Sequence, residues 1–253
     1  MISEQTITKL NEMKLTKMAE AYRDQLLNKE HQMLSFDDRF SLMVDMEWSK
    51  RQNNKLERII SLAQLRYHHA CIEDIEYYPD RKLDKAFILR LASCNYIQDN
   101  HNIIIKGPSG AGKTYVACAF AIAACRKYYR VKYVRLPDLL DELSIARGEG
   151  IFRKVMKQYK KVQLLVLDEW LLTELTEQQA RDLLEIIEAR NETSSTIFCS
   201  QFDTQGWYEK LDEDTLADAI LDRIIHTSYE IFIDGEISMR ERYGMEKENK
   251  VNY

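Results

Sequence analysis

Glycine and proline are scarce, 8 and 3 in 253 residues. An all-β protein needs many tight turns, so this scarcity excludes that class and points to long helices. No run of ~18 apolar residues occurs, which excludes a membrane-spanning helix. The opening segment, MISEQTITKLNEMKLTK, has no apolar secretory stretch. The cysteines Cys71, Cys94, Cys118, Cys125 and Cys199 form no C-x-x-C pair and are odd in number. They read as buried thiols of a reducing cytosol, not as a zinc or disulfide scaffold. A cytoplasmic protein is expected. What is present suffices for a core: 45% of residues are hydrophobic and 30% charged, which excludes wholesale disorder. At roughly 100–200 residues per domain, the length allows one large domain with a smaller appendage.

The net charge of −5 is unevenly spread. Residues 126–161 hold 11 basic and 4 acidic side chains, whereas 168–253 hold 8 and 21. An acidic total does not exclude nucleic acid, because phosphate contacts depend on local potential.

The first ~70 residues contain neither glycine nor proline. One helical pattern runs through Leu10, Met13, Leu15, Met18, Ala21, Tyr22 and Leu26. A second runs from Ser35 to about Ala70. The Met and Leu stripe of residues 10–46 is read as core. Tyr77-Tyr78-Pro79 breaks the pattern and is the expected linker, which gives a helical N-terminal domain of residues 1–78 and a second domain of 79–253. A helix is expected at Asp84–Cys94. Beyond it, apolar runs at 103–105, 131–134, 164–167, 196–199 and 230–233 alternate with helical stretches at 113–127, 137–147, 151–160, 176–191 and 215–226. That alternation predicts an α/β fold with a five-stranded parallel sheet.

Three glycines and a proline fall in Gly107-Pro108-Ser109-Gly110-Ala111-Gly112-Lys113-Thr114, which fits G-x-x-x-x-G-K-[ST] in full. Glycines let backbone N–H groups approach phosphate oxygens, and the following helix offers its positive end. Lys113 would reach the β- and γ-phosphates, and the Thr114 hydroxyl would ligate Mg²⁺. A strand before the motif and an alanine-rich helix after it supply the required context. The run Leu164-Leu165-Val166-Leu167-Asp168-Glu169 then ends a strand in two carboxylates. Asp168 would hold the metal, and Glu169 would polarise a water.

Together GPSGAGKT, LLVLDE and the polar strand end Ser200-Gln201 resemble an AAA+ P-loop ATPase. ADAILDRIIHTSYEIFIDGEISMRER (217–242), LNEMKLTKMAEAYRDQL and WSKRQNNKLERIISLAQLR resemble the IstB-like transposition helper ATPases, which are similar to the DnaC helicase loader. The resemblance runs from about Leu10 to Arg242. It implies an AAA+ core preceded by a small all-helical domain, with ATP and Mg²⁺ as cofactors. It also implies that Gln201 is the first γ-phosphate sensor, in place of the usual Asn. Arg223, in LDRI, becomes an arginine finger supplied to a neighbouring subunit, and Arg240 a second sensor. Leu171 departs from the family, which often has glycine there.

Two basic segments are candidates for DNA. One is Lys50, Arg51, Lys55, Arg58 and Arg66, of which positions 51, 55, 58 and 66 share a broad sector of one helix. The other is Arg147, Arg153, Lys154 and Lys157, with Lys160 and Lys161 beside them. Nothing resembles a base-reading motif, so backbone and shape recognition is expected. The resemblance implies a DNA-stimulated ATPase that forms homo-oligomers on double-stranded DNA and recruits or stimulates the transposase of the same element. The alternatives are a DnaC-like helicase loader and, from the phosphate loop alone, a small-molecule kinase.

Overall fold

A computed structural model describes residues 2–211, 214–235 and 237–249. The chain divides into two compact units, Met1–Arg58 and Ile59–Tyr253.

The first unit contains α1 (Ile2–Glu12), α2 (Thr16–Leu27), α3 (Lys29–Gln32) and most of α4 (Phe36–Ala63). The first helical pattern is two helices, not one. Lys14 turns the chain with φ of 60°, and Leu15 N–H closes back on Leu10 O. The start of α2 has no local side-chain cap. Glu47 of α4 supplies one from a distance, accepting from Lys17 N at 2.9 Å. Burial raises the Glu47 carboxyl, but its bonds to Arg51 and to the α2 backbone outweigh this and leave it below the ordinary range. The core of this unit is small: Ile7, Ala19, Ala21 and Met43, with the polar Gln25 and Glu47. The expected apolar core stripe is therefore largely overturned. Met13, Leu26, Leu34, Phe36, Phe40, Leu42, Val44 and Met46 are exposed. Three short helices and one long one cannot enclose apolar residues that lie all around α4.

The helix α4 ends at Ala63, seven residues before the expected limit. Gln64 adopts φ of 53°, and the next buried residues are Leu65, Ala70, Ile72 and Ile75. That spacing fits no helix face, so the segment takes an irregular path in the second unit. The Tyr77-Tyr78-Pro79 break is a 3-10 turn, Pro79–Arg81, also in that unit.

The second unit is built on five parallel strands in the order β2-β3-β4-β1-β5. They are β1 (Asn102–Lys106), β2 (Val131–Arg135), β3 (Leu164–Asp168), β4 (Ser195–Ser200) and β5 (Ser228–Phe232). Each expected strand is present. β3 and β4 are buried along their whole length, as continuous apolar runs require. The helices are α5 (Lys85–Ala92), α6 (Asn95–Gln98), α7 (Lys113–Arg126), α8 (Leu136–Gly148), α9 (Phe152–Lys161), α10 (Glu177–Arg190), α11 (Thr204–Tyr208), α12 (Asp214–Ile225) and α13 (Met239–Asn249). Of these, the short α6 and α11 and the polar α13 lack a sequence signal strong enough to anticipate. Ala117, Ala119, Ala121 and Ala124 let α7 lie close across β1 to β4. A continuous core joins Leu165, Leu167 and Phe198 to Leu143 of α8, Tyr159 of α9, Ile186 of α10 and Ile220 of α12. Four of the five cysteines are buried and free, and burial raises the Cys118 thiol to about 11. No described helix is long and apolar enough to cross a membrane.

Candidate nucleotide site

Strand order decides which loops meet. Because β3, β4 and β1 are adjacent, their C-terminal ends bring Asp168-Glu169, Ser200-Gln201 and the glycine loop together. The loop needs its glycines. A Cβ on Gly107 would stand 2.2 Å from Ile233 O, and one on Gly110 2.7 Å from Ser238 Cβ. Helix α7 starts at Lys113 after Gly112, with no side-chain cap on its first N–H groups. The Lys113 ammonium donates to Gly107 O at 2.7 Å and Pro108 O at 2.8 Å. Burial lowers its pKa, and the nearby Arg240 charge adds to this against the opposing effects of Cys199 and Asp168.

Across the cleft, the Thr114 hydroxyl donates to Asp168 Oδ2 at 2.8 Å. The Tyr133 hydroxyl, from β2, donates to the same oxygen at 2.8 Å, and Glu169 N–H donates to Oδ1 at 3.0 Å. Burial, then the Asp168 charge, raises the Tyr133 hydroxyl far above its usual range, so it remains a donor. Ser109, Gly110, Gly112, Lys113, Thr114, Asp168, Glu169, Gln201 and Arg240 all line one cleft of about 390 Å³. That volume suits a small-molecule ligand.

The sequence profile of the IstB-like ATP binding proteins matches residues 8–247. The chain belongs to this family. Among its relatives is an insertion-sequence ATP-binding protein of Sinorhizobium fredii, 40% identical over 96% of this chain and 98% of that protein. The fold of the IstB-like chain is similar to the crystal structure of DnaI, with a TM-score of 0.59 and 24% identity over 70% of this chain and 97% of that one. It is also similar to the DnaC helicase loader, with a TM-score of 0.55 and 20% identity over 67% and 99%. The IstB-like chain is thus an insertion-sequence ATP-binding protein, related in fold to DnaI and to the DnaC helicase loader.

Several groups around the IstB-like site were not legible beforehand. Arg135, at the end of β2, closes an ion pair with Glu169 at 2.6 Å. That contact, chiefly, raises the arginine pKa. Glu169 sits in the left-handed region, φ 55°, which turns its carboxylate out of line with β3. The Ser200 hydroxyl is a junction. It donates to Trp170 O at 3.0 Å and accepts from Trp207 Nε1 at 2.8 Å and Phe202 N at 3.1 Å. Both tryptophans are fully buried, with ring centroids 5.9 Å apart. Arg81, buried in its 3-10 turn, donates from Nη2 to Ala111 O of the phosphate loop at 2.9 Å and from Nη1 to Glu76 O. Burial lowers its pKa. A strand-end arginine and a serine after three apolar residues are the available sequence signals. Neither names its partner without the strand order.

Arg223 is not in this cleft. It lies on α12 beside Asn102, at the N-terminal edge of the sheet, and pairs with Glu188 at 3.0 Å. The basic residues also separate. Lys50 donates to Thr16 Oγ1 at 3.1 Å, and Arg51 to Glu47 and to Lys14 O. Lys55 and Arg58 are exposed on α4. Arg66 does not share that helix face, because α4 has already ended; it lines the nucleotide cleft. Arg147 pairs with the mostly buried Asp182 at 2.5 Å and covers the Phe152 ring. On α9, Val155, Met156 and Tyr159 point inward while Arg153, Lys154 and Lys157 are exposed. Lys160 is held by Glu185.

Proposed function

We propose that this protein is a DNA-stimulated ATPase that assembles on duplex DNA and serves transposition by engaging the element's transposase. One observation carries the ATPase reading: the Thr114 hydroxyl and the Asp168 carboxylate meet at 2.8 Å beside the phosphate loop. A hydroxyl and one carboxylate are what Mg²⁺ with a nucleotide needs, since that ion keeps several waters and takes its other oxygens from phosphates. No cluster of three acidic, His or Cys ligands exists among the described residues, and none is needed. When bound, the ion neutralises phosphate charge.

Lys113 and the loop N–H groups bind the β- and γ-phosphates, and Arg240 adds a cation from α13. Glu169 orients and polarises the attacking water after leaving Arg135. Gln201 holds that water from the neighbouring strand end. Arg223 is far from its own phosphate loop, so it acts on the nucleotide of an adjacent subunit, which makes hydrolysis depend on assembly. The helical region 1–78 and the exposed basic face of α9 supply DNA backbone contacts. A helicase-loader role has only likeness of fold behind it.

The test is the ATP hydrolysis rate with and without duplex DNA, with particle size measured in both. Stimulation by DNA together with larger particles is expected. Glu169→Gln should retain ATP binding and lose about 10²–10⁴ in rate. A chain that stays monomeric and inactive with ATP, Mg²⁺ and DNA present would contradict the proposal.

A further inference from the structure

Arg66 stands outside every motif of the phosphate loop and metal strand, yet its side chain lines the same cleft as Lys113, Thr114 and Asp168. The local structure places it there. After Ala63, fully buried at the end of α4, Gln64 turns the chain through the left-handed region. Gln64 then accepts a hydrogen bond from Lys132 of β2. Leu65 is buried, and the Tyr67 ring lies 5.9 Å from that of Tyr115, the residue after Thr114. The four residues 64–67 are therefore held between β2 and the first turn of α7.

The partners of Arg66 also differ from those of its neighbours. Arg51, Arg135 and Arg147 each close an ion pair with a carboxylate. Arg66 instead meets two tyrosines, and the Asp168 charge acts on it without closing an ion pair among the described residues. Its guanidinium lies 5.9 Å from the centre of the Tyr67 ring and adjoins the Tyr133 hydroxyl. Tyr133 has already committed its proton to Asp168, so toward a cation its oxygen can act only as an acceptor. Burial opposes the charge on Arg66, but its surroundings leave its pKa raised, and a guanidinium is charged throughout the physiological range. The result is an oriented cation at the mouth of a cleft built for phosphate. A guanidinium presents its donors in a planar fork that fits phosphate oxygens.

We infer that Arg66 is a nucleotide-binding residue, contacting the β- and γ-phosphates from the metal side of the cleft within the same subunit. This rests on the ATP-site reading above. It removes Arg66 from the DNA contacts and makes the segment that follows α4 responsive to the phosphate chain.

The test compares affinities for fluorescent ATP and ADP analogues, and for a duplex DNA probe, in the full chain and in Arg66→Ala, Arg66→Lys and Lys113→Ala. Arg66 is exposed, so its substitution leaves the fold intact. Arg66→Ala should weaken ATP binding on the order of tenfold and ADP binding less, with partial recovery in Arg66→Lys. Unchanged ATP affinity in Arg66→Ala, while Lys113→Ala loses it, would overturn the inference alone. So would a selective loss of DNA affinity, which would return Arg66 to the DNA surface. Retained ATP binding in Lys113→Ala would instead bring down the nucleotide site itself.

Discussion

At the C-terminal ends of β1, β3 and β4, the phosphate loop, Asp168 and Ser200 are tied together by short hydrogen bonds that stay within one subunit. At the other end of the same sheet stand two arginines with different fates. Arg190 is buried and fully used: it donates to Tyr159 O, Val162 O, Ser195 O and Thr196 Oγ1, and burial pulls its pKa to about 9. Arg223 is partly exposed and held by Glu188, whose side chain is itself largely in water. A partly exposed ion pair contributes about 0–1 kcal/mol, so a stronger anion can take Arg223 from it. The contrast separates an arginine that builds the fold from one free to act outside it. It is also what the proposed action of Arg223 on another copy requires.

The largest effect is expected at Arg223. Arg223→Ala should keep ATP affinity and fold stability yet lose about 10³-fold or more in hydrolysis. Mixing it with Lys113→Ala subunits should restore turnover, because each then supplies what the other lacks; failure of rescue in mixed particles would rule out action between subunits. A smaller effect is expected on α9. Reversing Lys154 and Lys157 to Glu should weaken duplex binding and reduce the slope of log affinity against log salt by about two, read by titration at several salt concentrations. An unaltered slope would move the DNA contact away from α9. The smallest expected effect sharpens the account of the crowded end. Ser200→Ala leaves the Trp207 indole N–H, Phe202 N–H and Trp170 carbonyl without their shared partner, and should cost about 2 kcal/mol of stability in denaturant unfolding. Tryptophan fluorescence gives a direct readout, since the Trp207 indole loses its acceptor and the Trp170 ring packs against it.

Much of this was readable along the chain. The glycine loop, Lys113 and Thr114 form one local turn whose chemistry needs adjacent residues, so eight positions reveal it. Asp168-Glu169 is likewise local to the end of an apolar strand. The five strands declared themselves through continuous apolar runs, and α7 through its alanines. Other features were hidden because they join distant segments. Arg135 meets Glu169 only once β2 lies beside β3. Arg81 reaches Ala111 across thirty positions. The apolar pattern of α4 gave a helix correctly but not its surroundings, and much of that stripe faces water.

Composition, periodicity and one short motif therefore determined an α/β chain with a helical beginning, a phosphate loop and an acidic strand tip, because each depends on neighbours within a few residues. Only the folded arrangement decided that Arg66 lines the nucleotide cleft and leaves the α4 face, that Arg135 restrains Glu169, and that Arg223 stands at the opposite edge from the phosphates. Those outcomes depend on strand order and on where a helix stops. A single left-handed residue at Gln64 set the first and the parallel pairing of β2 with β3 the second, through contacts that no local spacing encodes.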